Sequence, residues 1–318
     1  MDFEWPKIVT ELHDRCWKPE GSRLYDLWKP EPLRKFFQEH GYILWLSMYE
    51  EGWGDKHNVE LLTPNDEPRR PDGYTFVSRY QCQPGIVIYK NFTHLNNIHY
   101  PARTIHNQDV LIRLISIGGD ATGDEHYEAI RRLSTGQTAF RRDNYALPLL
   151  NEFEFNGLRF VVFPLLTLGG YMPWFYNVDE ILDYFMQIFK GVKFCHDNLI
   201  AHLDLDGDNI LYNSSGGREV SDETTEYNVA GPFRSHFPIR YYINDFETAT
   251  RKITGLPNVR VGRIGQYGRE YAPEMLINEP YCPFKAASPK VSKSCRSWTS
   301  IDRAKPRYAR PGTESPPR

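Results

Sequence analysis

The segment His196–Leu211, HDNLIAHLDLDGDNIL, constrains this chain more than any other. His202, Asp204 and Asn209 stand in it at the spacing H-x-D-x-x-x-x-N, and the apolar Ile210-Leu211-Tyr212 comes next. A carboxylate and an amide so spaced, on a loop between a helix and a strand, offer a proton acceptor and an oxygen ligand for a hard cation. The flanking text supplies both elements. Asn177 is an N-cap with Glu180 three residues on, as in a capping box, and Ile181, Phe185, Ile188, Val192 and Cys195 then line one face of a long helix. After a polar, glycine-containing stretch (213–238), read as an exposed insertion, RYYIN (240–244) reads as a strand ending in Asp245-Phe246-Glu247.

The chain before this core reads as strands and one helix. Trp28 to Trp45 predicts a short helix begun near Pro32 and stopped at Gly41, with a strand after it. PNDEPRRPDG (64–73) is a loop by its Pro, Asp and Gly. YTFVSRYQ and PGIVIYK (74–90) are β-rich, and DVLIRLIS (109–116) is a buried strand whose alternation sets Leu111 and Arg113 on one face, Ile112 and Leu114 on the other. GGDATG (118–123) reads as a flexible turn before a helix around EHYEAIRRL. Two strands in 146–166 are joined by Asn156-Gly157, a strong hairpin signal.

Charge and cysteine content narrow the function classes. Net charge is −3, which gives no global attraction to nucleic acid or to an anionic membrane. Residues 283–318 hold nine basic against two acidic residues, about +7, and have no periodicity; we expect a basic, disordered tail. Five scattered cysteines without a CxxC pair read as reduced thiols, neither a disulfide framework nor a zinc site. With no apolar leader after the first residues, and a longest apolar stretch (160–175) broken by two Pro and two Gly, we expect an intracellular, cytoplasmic protein without a membrane partner.

Helix, H-x-D-x4-N, two strands, D-F, and Ala272-Pro273-Glu274, taken in this order, resemble the protein kinases over roughly residues 105–282. The resemblance implies an α+β, bilobal protein-kinase-like fold, with a small β-rich N-lobe and a mainly helical, incomplete C-lobe. It divides the chain into an N-terminal extension (1–73) packed on the remainder of the protein, an N-lobe (74–165), a partial C-lobe (166–282) and the tail. It further implies ATP and Mg2+ as cofactors and a protein hydroxyl as acceptor. Asp204 would take the hydroxyl proton, while Asn209 and Asp245 would hold the metal. Phe163 falls at the gatekeeper position, and Pro164 and Leu166 fall on the hinge that meets adenine. Pro164 is harmless there, because only its C=O is used.

Several residues depart from that pattern. Arg113 stands where the strand lysine of V-A-I-K would be, and a forked guanidinium is no neutral swap at a phosphate site. Its helix carboxylate would be Glu125 or Glu128, while gapless spacing from Leu133 puts His126 there. No G-x-G-x-x-G precedes the 109–116 strand; THLNNIHYPARTIHNQ occupies that place. Leu203 and Asp206 replace an arginine and a lysine of the catalytic loop, and Glu247 replaces the glycine of D-F-G, which removes freedom at positive φ. Only 44 residues come after Glu274, none reading as an apolar helix, so we expect a compromised C-lobe with uncovered apolar surface.

The resemblance is compatible with three functions. The first is an ATP- and Mg2+-dependent protein kinase. The second is a pseudokinase acting by binding, for which the missing glycines and strand lysine speak. The third is a small-molecule phosphotransferase of the choline-kinase or aminoglycoside-phosphotransferase kind. Asp245-Phe246-Glu247 favours this last reading, and A-P-E with a 30-residue segment from Asp245 to Glu274 opposes it.

Overall fold

The computed structural model describes residues 27–47, 59–65, 91–94, 98–118, 121–168, 175–213, 234, 238–251, 273–276 and 279–286. It is an α+β structure. Helix α1 (Glu31–Glu39) starts beside Pro32 with Glu31 in its first turn, and the chain leaves it through Gly41 at φ +83°, a left-handed conformation suited to glycine. Strand β1 (Tyr42–Leu44) comes next, as the Pro and Gly punctuation predicts. Short strands β2 (Leu46–Ser47), β3 (Val59–Leu62) and β4 (Asn91–His94) form a small antiparallel sheet of their own. The strands predicted within 74–90 lie outside the described residues.

Strands β5 (His99–Thr104) and β6 (Asp109–Ile117) lead to helices α2 (Ala121–Ser134) and α3 (Gly136–Ala139). Then comes the hairpin of β7 (Asn151–Phe155) and β8 (Leu158–Pro164). Its turn is Asn156-Gly157, with φ +49° and +77°, so both central residues take the positive φ a type I′ turn needs. The main sheet runs β1-β5-β6-β8-β7, antiparallel throughout. Residues of the expected N-terminal extension thus supply both an edge strand and a covering helix. GGDATG is a turn only at its start, where Gly118 has φ +54°; residues 121–123 already belong to α2.

The two faces of the sheet bury different cores. On one, Ile112, Leu114 and Phe160 pack with Trp28, Leu33 and Phe37 of the α1 region, all fully buried. Each such side chain contributes about 2 kcal/mol through its removal from water. The opposite core joins Ile115, Val161 and Phe163 to α2 and to the second half of the chain. A bulge between Leu114 and Ser116 changes the alternation, which returns Ile117 to the α1 side.

That second half contains β9 (Thr167–Leu168), helix α4 (Val178–Asp197), β10 (Ile200–Ala201), a 3-10 turn (Gly207–Asn209), β11 (Ile210–Tyr212), β12 (Tyr241–Ile243), β13 (Thr250–Arg251) and a short helix, α5 (Pro273–Leu276). The Asn177 side chain accepts from Glu180 N at 2.9 Å, and Glu180 accepts from Tyr176 N at 2.8 Å, so the capping box closes one residue earlier than usual. The inward face of α4 is Glu180, Tyr184, Gln187, Ile188, Gly191, Phe194 and Cys195. Ile181, Phe185 and Val192, predicted to line it, are only partly buried. Gln187 explains the turn of the helix: its amide donates to Ile239 O at 2.9 Å and accepts from Tyr241 N at 3.0 Å. On the outer side, Val178, Leu182, Met186 and Phe189 are 47–67% exposed. Among the described residues no helix is long and apolar enough to cross a membrane.

Candidate active site

The loop between β10 and β11 is shaped by its own residues. Leu203 turns the chain at φ +63° and buries its side chain with Ala201, Met275, Tyr281 and Ala286. This third, small core, with Phe284 packed against it, anchors the loop through Leu203. His202 Nε2 donates to Asn244 O at 2.7 Å, its ring meets Phe246 edge-on at 4.9 Å, and its own carbonyl accepts from Thr248 Oγ1 at 2.8 Å. The loop is therefore fixed to the stretch carrying Asp245.

Asp204 and Asn209 are in direct contact. Asn209 Nδ2 donates to Asp204 O at 2.7 Å and to Asp204 Oδ2 at 3.3 Å. Asn244 N donates to Asn209 O at 2.9 Å, which brings the residue before Asp245 onto the same loop. Both Asp204 and Asn209 are buried. The Asp206 carboxylate accepts from Gly207 N and caps the 3-10 turn.

Arg113 reaches the same place from the middle of β6. It is 2% exposed, and its Nη2 donates to Asp245 Oδ1 at 3.1 Å and also to Glu247 Oε1. Burial pushes the Arg113 pKa down, but the two carboxylates outweigh it and hold the guanidinium above its usual range. Asp245 is pushed up by burial and by Glu247, against the lowering pull of Arg113 and His202. Asp245 itself has φ +62°. The left-handed residue of this turn is thus the aspartate, and the loss of a glycine at 247 creates no strain there.

Glu125 is not brought to Arg113. It is exposed, as is Glu128, while His126 is buried and faces inward with Tyr127, Ala129, Ile130 and Leu133. The cause is the phase of α2, set by its apolar residues. Phe163 is buried in the main sheet beside Leu111, and Pro164 ends β8 opposite Val110. Leu166 lies just past that strand, packed on the core that contains α4. Sequence reasoning noted Glu247 as a lost glycine and as the end of D-F-E, and missed its pairing with Arg113; the signal available was a lone arginine in a buried strand with no assured carboxylate.

The donors present suit magnesium. Asn209 Oδ1 and Asp245 Oδ2 accept no hydrogen bond among the described residues, and both are hard oxygens. No group of three or more His, Cys, Asp or Glu side chains that could hold a metal forms among the described residues. A magnesium ion carried by phosphates needs only one or two protein ligands.

No protein-family model matches the chain. Shorter stretches are similar to kinases: 47% identity over 56 residues with mitogen-activated protein kinase kinase kinase 5 of Homo sapiens, covering 17% of this chain and 4% of that protein. Serine/threonine-protein kinase Doa of Drosophila melanogaster is 31% identical over 94 residues, 27% of this chain and 10% of its own length. Cyclin-dependent kinase 20 of Danio rerio is 42% identical over 46 residues, 14% and 13% of the two chains. The chain therefore spans only a small part of the relatives it matches. These similarities support a kinase-like relationship, and the α+β structure with its antiparallel sheet is compatible with the small lobe of a kinase.

Proposed function

We propose that this protein is an ATP-dependent, protein-kinase-like phosphotransferase with a bilobal arrangement of the sheet and the α4 region. The observation that carries the reading is the hydrogen-bonded junction of the Asp204–Asn209 loop with Asn244, which puts a carboxylate, an amide oxygen and Asp245 on one structural unit. Asp204 orients the acceptor hydroxyl and takes its proton. Asn209 and Asp245 would hold magnesium, which when bound offsets the charge of the phosphates. Arg113 supplies positive charge from β6, and Phe163, Pro164 and Leu166 border the place for adenine. The Leu166 amide has no backbone partner among the described residues, so it can donate to a ligand. The acceptor is a protein hydroxyl, and neither nucleic acid nor membrane is a partner.

Transfer of labelled phosphate from ATP, measured for the wild type and for Asp204→Ala and Asp245→Ala, tests this reading. Loss of transfer in both variants is expected; transfer that persists in both removes the mechanism. A second reading, binding without catalysis, draws on the ion pair of Arg113 with Asp245, which ties up one oxygen of the metal ligand. Mg-ATP that stabilises the protein without any transfer would favour it.

A further inference from the structure

We propose that Glu247 is the carboxylate that positions Arg113 for the nucleotide phosphates, a task that the kinase resemblance would assign to a carboxylate on α2. This rests on the phosphotransfer reading above. A guanidinium as buried as that of Arg113 requires opposite charge and filled hydrogen-bond positions. Helix α2 gives it no carboxylate, since Glu125 and Glu128 are exposed and His126 takes the inward place. Both of its acidic partners come from the end of β12 instead, and Glu247 is the less exposed of the two, at 19% against 31% for Asp245.

The position of Glu247 is fixed on both sides. Phe246 is buried against His202, Ala249 N donates to Phe246 O at 3.0 Å, and Thr248 Oγ1 donates to His202 O. Held in this turn, Glu247 fixes one nitrogen of Arg113. Arg113 Nε is buried and has no hydrogen-bond partner among the described residues, so the side chain keeps a donor open. A phosphate oxygen would satisfy it, and a planar fork already anchored at Nη2 binds such an oxygen with little further ordering.

A consequence concerns α2. This helix is fixed to the sheet: Tyr127 OH donates to Glu152 at 2.8 Å, Asp124 pairs with Arg159 at 3.0 Å, and Arg159 lies 4.5 Å over the Tyr127 ring. A Cβ on Gly123 would come within 2.5 Å of Ile115 O, so helix and strand touch backbone to backbone. With its cation positioned from residue 247, the site needs no inward movement of this helix to become complete.

Affinity for a fluorescent ATP analogue with Mg2+, measured on the full chain, tests the assignment. Glu247→Gln should weaken binding about tenfold or more, Glu247→Asp should keep most of it, and Glu125→Gln and Glu128→Gln should stay within about twofold. Arg113→Lys combined with Glu247→Gln should bind no more weakly than the weaker single variant, because both changes remove one contact. An equal loss in Glu125→Gln or Glu128→Gln, or losses that add, overturns the proposal. So does a Glu247→Gln protein that melts earlier yet binds with unchanged affinity, since that describes a purely structural role. If the wild type binds no nucleotide, the phosphotransfer reading fails and this proposal with it; wild-type binding untouched by Glu247→Gln sinks the proposal alone.

Discussion

Asn209 turns its NH2 group onto the backbone carbonyl of Asp204, 2.7 Å away, and so faces its own carbonyl oxygen away from that loop. One side chain thereby closes the loop and presents a ligand atom. Asn209→Ala removes both at once, including the bond to the Asp204 carbonyl. We expect a loss of about 1–3 kcal/mol in urea unfolding, together with loss of phosphate transfer. A variant as stable as the wild type would show that water replaces the bond at no cost.

Arg103 and Asp109 form a two-pronged ion pair across the β5–β6 turn, at 2.7 and 3.0 Å, with the arginine 1% exposed. Arg103→Met strands a buried carboxylate and should cost about 3–5 kcal/mol. Arg103→Met with Asp109→Leu should recover most of that loss, measured by the same unfolding experiment. If the double variant is as unstable as the single, the pair does more than neutralise charge.

Cys195 is buried on the inward face of α4, and burial pushes its thiol up to about 12. Iodoacetamide at pH 8 should leave it unmodified in the folded protein, since the thiolate is the reactive form. Cys282 is only partly buried and should react first. Peptide mapping after a timed reaction reads the order directly, and rapid labelling of Cys195 would mean that the α4 core opens readily.

His196 has its Nε2 buried without a partner among the described residues and its ring edge-on to Phe284 at 5.2 Å. Burial pulls its pKa down, against a weaker upward pull from Asp197. Below about pH 6.5 the unfolded chain then takes up a proton that the folded chain resists, so stability falls as pH drops through this range. The denaturation midpoint should fall less between pH 7 and 5.5 in His196→Phe than in the wild type. Equal slopes for the two proteins would contradict the assignment.

Local grammar made much of this structure legible. Pro32 and Gly41 bracket α1, Asn156-Gly157 makes the hairpin, and Asn177 caps α4, because each acts through backbone geometry within a few residues. The H-x-D-x4-N spacing likewise singled out Asp204 and Asn209, which the structure joins by a hydrogen bond. Strand β5 was not predicted: Pro101 sits in its middle, and a proline argues against a central strand. The inward face of α4 was misjudged because only apolar residues were placed on it, whereas the fold also turns Gln187 and Glu180 inward and gives both hydrogen bonds. The pairing of Arg113 with Glu247 spans 134 positions, and no local pattern reports such a contact.

Strand β1 has a practical corollary. A recombinant version cut at the border that the kinase resemblance suggests, near residue 74, would discard Trp28, α1 and the strand bonded to β5. The cut would leave β5 with a bare row of amides and carbonyls beside a stripped apolar sheet, a template for aggregation. For anyone preparing this protein, residues 27–47 belong to the folding unit.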